Sequence, residues 1–166
     1  MIIKNIFEAH LKYIQDKKLL GACHLISASI YMLLKESNIN STLCIGAVRS
    51  QDNRFFDHSW IEIDGDIYDA TLDMPLKNGS LFPLVFASIN LYTKLKTDLE
   101  YGFECKEGFE KDTERVLNCN LAEYSELSYI NLWNLIKDVG KIIDLEINPN
   151  RFKERYGNIK RTLIIR

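Results

Sequence analysis

One stretch of the sequence, FFDHSWIEIDGDIYDAT at residues 55–71, constrains the fold more than any other. Apolar and polar residues alternate on both sides of Asp64 and Gly65, and an Asp-Gly pair between two alternating segments is a strong signal of a β-hairpin. The pattern predicts a strand over residues 55–63, a tight turn, and a return strand over residues 67–71. An antiparallel pair of strands is therefore the starting point for the rest of the fold.

The hairpin also predicts which side chains share a face of the sheet. A two-residue turn pairs Trp60 with Asp69, and successive strand residues point to opposite faces. Asp69 then lies on the face of His58 as its diagonal neighbour, at a distance of about 7–8 Å. A carboxylate in this position can orient an imidazole and stabilise its charged form. The hairpin therefore predicts a pair between His58 and Asp69, with Asp73 as the alternative carboxylate.

Helical and strand-like patterns flank this hairpin. Apolar residues recur at three- and four-residue intervals over residues 4–17 and from Cys23 to about Asn38, and both patterns predict helices. The other predicted elements are a strand at 41–49, helices at 80–97, 110–117 and 124–145, and an edge strand at 162–166. This order predicts an α+β fold with an antiparallel sheet, N-terminal helices packed on it and a helical C-terminal half.

The composition is that of one ordinary globular domain. The chain has 166 residues, of which 46% are hydrophobic and 27% charged, which is enough for one core. A formal net charge of −2 gives no general attraction to nucleic acid or membranes, so neither is expected as a partner. The basic residues within 151–166 predict a solvated surface, with docking of a polyanion as the alternative.

The cellular compartment and the cofactors follow from what the sequence does not contain. Its four cysteines form no CxxC pair, and neither a signal-peptide pattern nor an apolar run of about 18 residues is found. These features predict a cytoplasmic protein with reduced thiols. His24 lies beside Cys23, but adjacent helix residues point about 100° apart and cannot easily bind one ion, so no metal and no other cofactor is expected.

Cys23 is predicted to open the second helix, which makes it the candidate nucleophile. Helix N-terminal amides and a nearby imidazolium both lower the pKa of a cysteine, and the thiolate is the reactive form. A helix that crosses the sheet can bring Cys23 to His58, and Asp69 then completes a Cys-His-Asp arrangement. The competing interpretation is structural, with Cys23 as a small buried residue and the other two as ordinary strand residues.

Three further side chains have weaker predicted roles. Trp60 and Phe56 are expected either to pack in the core or to line a substrate cleft near His58. His10 is expected at the surface or boundary of the first helix.

The motifs around Cys23 and His58 resemble the core of the transglutaminase-like superfamily. In that superfamily a Cys opens a helix, a short link leads to a strand, and a His-x-Trp-x-Glu strand turns into one that ends in Asp-Pro-Thr. The matching pieces here are Cys23, NINS at 38–41, HSWIE at 58–62 and DAT at 69–71. The resemblance covers about residues 20–75.

Some positions depart from the pattern of that superfamily. Ala70 stands where Pro is usual, and Ser41 stands where Arg is frequent. The segment IGAVRSQDNRFFDHSWIEIDG at 45–65 is also similar to the transglutaminase-like proteases that trim leader peptides in lasso-peptide maturation. Residues 77–166 resemble no family.

The resemblance implies a papain-like fold. The chain length predicts a single domain over residues 1–166, in which a helical elaboration at 77–166 follows the core motifs. It implies that Cys23 is the nucleophile, His58 the base and Asp69 the orienting acid of a cysteine hydrolase, protease or acyltransferase. The substrate would be a peptide, a protein amide or a small amide, and a thioester would form as intermediate. The Cys23 backbone N–H and an upstream donor, Gln15, would bind the oxyanion. The alternative is a catalytically inactive relative that acts as a binding or scaffold protein.

Overall fold

The computed structural model describes residues 1–72 and 82–166. Six helices and seven strands lie within these two ranges. The helices are α1 (Ile2–Lys17), α2 (Cys23–Glu36), α3 (Lys111–Asn118), α4 (Leu121–Leu127), α5 (Leu132–Ile142) and α6 (Pro149–Tyr156). The strands are β1 (Thr42–Arg49), β2 (Phe55–Ile63), β3 (Asp66–Tyr68), β4 (Val85–Phe86), β5 (Ile89–Asn90), β6 (Glu100–Phe103) and β7 (Thr162–Leu163). The predicted α+β class is confirmed.

The hairpin has the predicted register. β3 pairs with β2 so that Ile61 faces Tyr68 across the ladder. Asp64 and Gly65 have φ angles of 52° and 87°, the left-handed conformations that a two-residue turn of this type requires. The return strand is shorter than predicted because Asp69 leaves the hairpin and instead exchanges two backbone hydrogen bonds with Val85, at 2.8 and 3.2 Å.

The sheet is mixed, which corrects the expectation of a purely antiparallel one. Its strand order is β3-β2-β1-β6, and β7 pairs in parallel with β1, beside residues Cys44 and Ile45. β7 reaches β1 only after a long connection through α3 to α6, and a parallel pair requires such a connection. β1 is therefore paired along both edges, and its six inner residues are buried.

Two cores cover the two faces of this sheet. The larger one packs α1, α2 and α5 against the face that carries Ile45 and Ile61. The smaller one covers the opposite face, where Cys44 and Trp60 pack with Tyr101 of β6. The alternation of side chains along β1 and β2 assigns each strand residue to one of these cores. None of the helices within the two described ranges is long and apolar enough to cross a membrane.

Two predicted helices are wrong. Residues 82–97 contain β4, β5 and turns, whereas residues 80 and 81 lie outside the described ranges. Ala87 and Ser88, with φ angles of 51° and 60°, form the turn between these two strands. The helix predicted at 124–145 is divided into α4 and α5, because the Asn131 side chain accepts hydrogen bonds from two backbone N–H groups and starts a new helix.

His10 was expected at the surface or boundary of α1, but it is fully buried. Its Nδ1 atom lies 2.7 Å from the backbone oxygen of Ile6, and its Nε2 atom lies 2.8 Å from Oγ of Ser29 in α2. Because α2 packs on this side of α1, a polar side chain is tolerated there only with both ring nitrogens paired.

Candidate active site

Cys23 is the first residue of α2 and lines a cavity of about 190 Å³. The preceding residue, Ala22, provides no side-chain cap for the helix. The N–H groups in the first turn of a helix have no partner within the helix, and they carry partial positive charge. The thiol therefore lies where the backbone favours an anion.

His58 of β2 lines the same cavity and is hydrogen-bonded to Asp69. The distance between His58 Nε2 and Asp69 Oδ2 is 2.6 Å, and both side chains are about 1% exposed. Two neighbours hold the carboxylate: the backbone N–H and the hydroxyl of Thr71 donate to Oδ1 at 3.0 and 2.7 Å, and the hydroxyl of Tyr101 donates to Oδ2 at 3.0 Å. Asp69 is thus fixed in one orientation toward the imidazole.

The charged forms of His58 and Asp69 stabilise each other. Burial disfavours both charged forms, yet the positive charge of His58 and the hydrogen bonds from Thr71 hold the pKa of Asp69 below its usual value. Burial also disfavours the imidazolium, but the negative charges of Asp69 and Cys23 outweigh it and raise the pKa of His58 to about 10. His58 is therefore a cation at neutral pH.

The thiol of Cys23 interacts with the same imidazole. Burial would raise the pKa of its thiol, but interactions with the imidazoles of His24 and His58 outweigh this and hold the pKa well below its usual value. Because Nε2 of His58 is bonded to Asp69, the interaction with the Cys23 thiol falls to Nδ1, which is buried and has no other hydrogen-bond partner in the described chain. The arrangement favours a thiolate beside an imidazolium.

Residues 3–78 match the model of the transglutaminase-like superfamily. These residues are similar to that superfamily and are called the transglutaminase-like segment below. It extends from α1 to beyond β3, contains Cys23, His58 and Asp69, and makes up just under half of the chain. No curated protein and no solved structure gives a significant match.

His24 is a member of this site that the sequence interpretation considered only as a metal ligand. Its Nδ1 atom lies 2.7 Å from the Ser59 hydroxyl, and its imidazole interacts with the Cys23 thiol. In the described part of the chain, no three or more His, Cys, Asp or Glu side chains are grouped as a metal site would require. The proximity of His24 to Cys23 could have been predicted from the sequence, because the two residues are adjacent at the start of the same helix.

Arg161 joins the transglutaminase-like segment to the C-terminal part of the chain, and no sequence signal indicated it. Its Nη2 atom donates to the backbone oxygen of His24 at 2.8 Å, and its guanidinium lies 4.4 Å from the centre of the Tyr124 ring. Only 5% of the side chain is exposed, which contradicts the predicted solvated surface at this residue. Nε and Nη1 have no hydrogen-bond partner among the described residues, and burial lowers the pKa of Arg161 to about 10.

Of the two aromatic residues predicted for the cleft, Phe56 lies at the cavity and Trp60 does not. Phe56 lines the cavity and meets the His58 ring edge-on, with 5.4 Å between the ring centres. Trp60 does not line the cavity, because the smaller core covers it and its ring packs on Tyr101 at 5.1 Å. Trp60 therefore lies in the smaller core and away from the cavity that Cys23 lines.

Gln15, the expected oxyanion donor, is exposed on α1 and does not line the cavity. α1 ends at Lys17, and the chain reaches the cavity only at Gly21, so the helix holds Gln15 away from it. Asp73, the alternative to Asp69, lies outside the described residues.

Proposed function

We propose that this protein is a cysteine-dependent hydrolase or acyltransferase that acts on an amide or peptide bond through a thioester. One observation carries the proposal: a buried 2.6 Å hydrogen bond from Nε2 to Asp69 orients His58, and the same imidazole interacts with Cys23, which lines the same cavity.

The reaction starts at the sulfur of Cys23. The thiolate attacks the amide carbonyl carbon, and the electron pair of the carbonyl moves onto its oxygen, which the N–H groups at the start of α2 stabilise. The C–N bond then breaks as the His58 imidazolium donates its proton to the leaving amine, and a thioester to Cys23 remains. Neutral His58 next takes a proton from water or from an acceptor amine as its oxygen or nitrogen attacks the thioester carbon. The C–S bond then breaks, which restores the Cys23 thiolate and releases the acid or the new amide.

Asp69 keeps the imidazole in the orientation that these transfers require. Thr71 and Tyr101 each donate to Asp69, so the carboxylate cannot turn away from His58 without losing those bonds. The chemistry needs no metal and no organic cofactor. A peptide, a protein amide or a small amide is the proposed substrate, and the cytoplasm, where thiols stay reduced, is the proposed compartment.

The proposal is tested first by the rate at which iodoacetamide alkylates each cysteine between pH 4 and pH 9, read by peptide mass spectrometry. Cys23 is expected to react rapidly well below pH 8, and His58→Gln is expected to move its profile to higher pH. Cys105 and Cys119, which are only partly buried, provide reference rates in the same samples.

A second measurement follows acyl transfer directly. With 4-nitrophenyl acetate, the proposed enzyme releases a burst of nitrophenolate and carries one acetyl group on Cys23, whereas Cys23→Ala gives no burst. If Cys23 reacts no faster than Cys105, and no acyl adduct forms in a folded sample, the protein is a binding or scaffold relative.

A further inference from the structure

The cavity contains a second imidazole beside Cys23. His24 follows Cys23 in the first turn of α2, is half-buried and lines the cavity. Its imidazole interacts with the Cys23 thiol. In the proposed reaction His58 serves as both the acid and the base, so the proton transfers leave His24 without a role.

Two contacts hold His24 in place. Its Nδ1 atom lies 2.7 Å from the hydroxyl of Ser59, which is fully buried on β2. Its backbone oxygen accepts a hydrogen bond at 2.8 Å from Nη2 of Arg161. Ser59 follows His58 in β2, and successive strand residues point to opposite faces, so the two imidazoles are anchored on opposite faces of this strand. The His24 ring is therefore in position before any substrate binds.

These contacts determine which nitrogen of His24 can donate. Because Ser59 holds Nδ1, the interaction with the thiol falls to Nε2. A thiolate accepts hydrogen bonds, so it favours the neutral ring form that carries its hydrogen on Nε2, and the Ser59 hydroxyl can then donate to Nδ1. In the imidazolium both nitrogens carry a hydrogen. Nε2 is therefore an N–H donor in both charge states.

A donor in this position lies close to where negative charge develops during acyl transfer. When the Cys23 sulfur attacks a carbonyl carbon, the carbonyl oxygen is only two bonds away from the sulfur. A donor that contacts the sulfur before the attack can reach this oxygen after it. Gln15, the side-chain donor expected for this role, is exposed on α1 and does not line the cavity.

We propose that His24 is a catalytic residue whose Nε2–H donates a hydrogen bond to the oxyanion formed at Cys23, the role expected of Gln15. As the S–C bond forms, an electron pair of the carbonyl moves onto oxygen, and the N–H stabilises this charge together with the N–H groups of α2. The pair returns when the C–N bond breaks, and His24 keeps its proton throughout. The inference rests on the proposed function, because an oxyanion arises only in acyl transfer.

The test compares two reactions of the same sulfur at pH 9. Iodoacetamide alkylates Cys23 by displacing iodide and forms no oxyanion, whereas acylation by 4-nitrophenyl acetate passes through one. The ratio of the acylation rate to the alkylation rate cancels the thiolate fraction, which the charges of His58 and Arg161 also affect. Loss of one oxyanion donor slows acyl transfer by about 100- to 1,000-fold, and an activated ester depends on it less.

His24→Leu, which has no donor, is therefore expected to lower this ratio by about tenfold or more. His24→Gln, which keeps an N–H donor, is expected to recover most of the loss. Ser59→Ala, which frees the ring, should lower the ratio by about two- to fivefold. The control is Glu110→Gln, which removes an exposed carboxylate at the same cavity without touching the ring, and its ratio is expected to equal that of the wild type.

Circular dichroism verifies that each variant is folded. An unchanged ratio in His24→Leu, or an equal loss in His24→Leu and His24→Gln, would overturn the role of the N–H donor. If His24→Leu does not fold, an unchanged ratio in Ser59→Ala overturns it instead. A wild-type protein that is never acylated contradicts the proposed function itself, whereas a wild type that is acylated with a ratio independent of His24 contradicts only this inference.

Discussion

At the residue scale, the thiol of Cys23 depends on two histidines rather than one. His58 faces it from β2, and His24 follows it in α2, where the Ser59 hydroxyl fixes the imidazole at 2.7 Å. Both interactions hold the pKa of Cys23 well below its usual value, despite the opposing effect of burial. His58 alone therefore does not account for the lowered pKa of Cys23, because His24 also contributes.

Replacing His24 should make Cys23 less reactive in acid while leaving it reactive in base. In His24→Gln the thiolate loses one interaction that stabilises it, so alkylation at pH 6 is expected to slow about tenfold while the rate at pH 9 stays nearly the same. Peptide mass spectrometry over the pH series measures both rates. Ser59→Ala, which keeps the imidazole but removes its partner, should give a smaller effect. Equal profiles for His24→Gln and the wild type would contradict this role.

We expect Arg161 to lower the pKa of the Cys23 thiol through its charge as well as through its hydrogen bond to the backbone of His24. Its guanidinium is buried, its Nε and Nη1 atoms have no hydrogen-bond partner in the described chain, and its Nη2 atom donates to the backbone oxygen of His24. Arg161→Met removes both the charge and the donor and is expected to move the alkylation profile of Cys23 to higher pH. Arg161→Lys keeps the charge and should recover most of this shift. If both variants shift the profile equally, the charge has no part in the effect.

At the scale of elements, the contact between α1 and α2 should make the protein sensitive to acid. Burial lowers the pKa of His10 to about 4, against an ordinary value of 6.5, so the unfolded chain binds the proton more readily than the fold does. Stability from this residue is complete above pH 6.5 and is lost as the pH falls toward 4, by about 3 kcal/mol.

Denaturant unfolding of the wild type and of His10→Gln between pH 7 and pH 4 measures this contribution. Gln keeps a polar group near Ser29 but does not titrate, so the variant should be less stable at pH 7 and lose less stability in acid. The difference between the two proteins isolates His10, because every other titrating group is common to both. Parallel curves would show that His10 does not cause the acid sensitivity.

Elements whose signals are local could be predicted from the sequence. The hairpin was predictable because both its turn and its alternation lie within 17 residues, and the same local signals gave α1, α2, β1 and α3. The helix predicted at 80–97 failed because an apolar stretch does not reveal its period, and Asp69 pairs with Val85 in this region. The parallel pairing of β7 with β1 depends on contacts that are distant in sequence, which no periodicity encodes.

The residues of the candidate site also divide into those with local sequence signals and those without. Cys23, His58 and Asp69 were predictable because a helix start and a hairpin register constrain them locally. Tyr101 and Arg161 were not predictable, since each reaches the site from an element more than 30 residues further along the chain. Their roles become visible only when the sheet brings β6 and β7 to β1.

At the scale of the whole molecule, the chain should unfold as one unit. The larger core combines side chains of α1 and α2 with those of α5 and α6, so the transglutaminase-like segment shares its interior with the C-terminal helices. A single cooperative transition is expected in urea, with the same midpoint by tryptophan fluorescence and by circular dichroism. A fragment of residues 1–78 should not fold alone. Two separate transitions would contradict a single domain over residues 1–166.

The close approach of Ile164, the residue after β7, to β1 should make Gly46 sensitive to substitution. A Cβ atom there would lie 2.8 Å from the backbone oxygen of Ile164 and 3.1 Å from the Trp60 ring. Gly46→Ala is therefore expected to displace β7 and lower the free energy of unfolding by about 1–3 kcal/mol. Gly65→Asn is the control, since that position has open space and Asn tolerates its left-handed conformation. Equal stability of the two variants would contradict the prediction.

The bond from Arg161 to the backbone oxygen of His24 spans 137 residues of sequence. During synthesis, the part of the chain that carries Cys23 and His58 leaves the ribosome long before Arg161 does. Until then the nascent chain lacks β7 and the buried guanidinium, so its thiol is not yet in its final electrostatic surroundings. The order of translation thus separates the synthesis of Cys23 from the completion of its electrostatic surroundings by more than 130 residues.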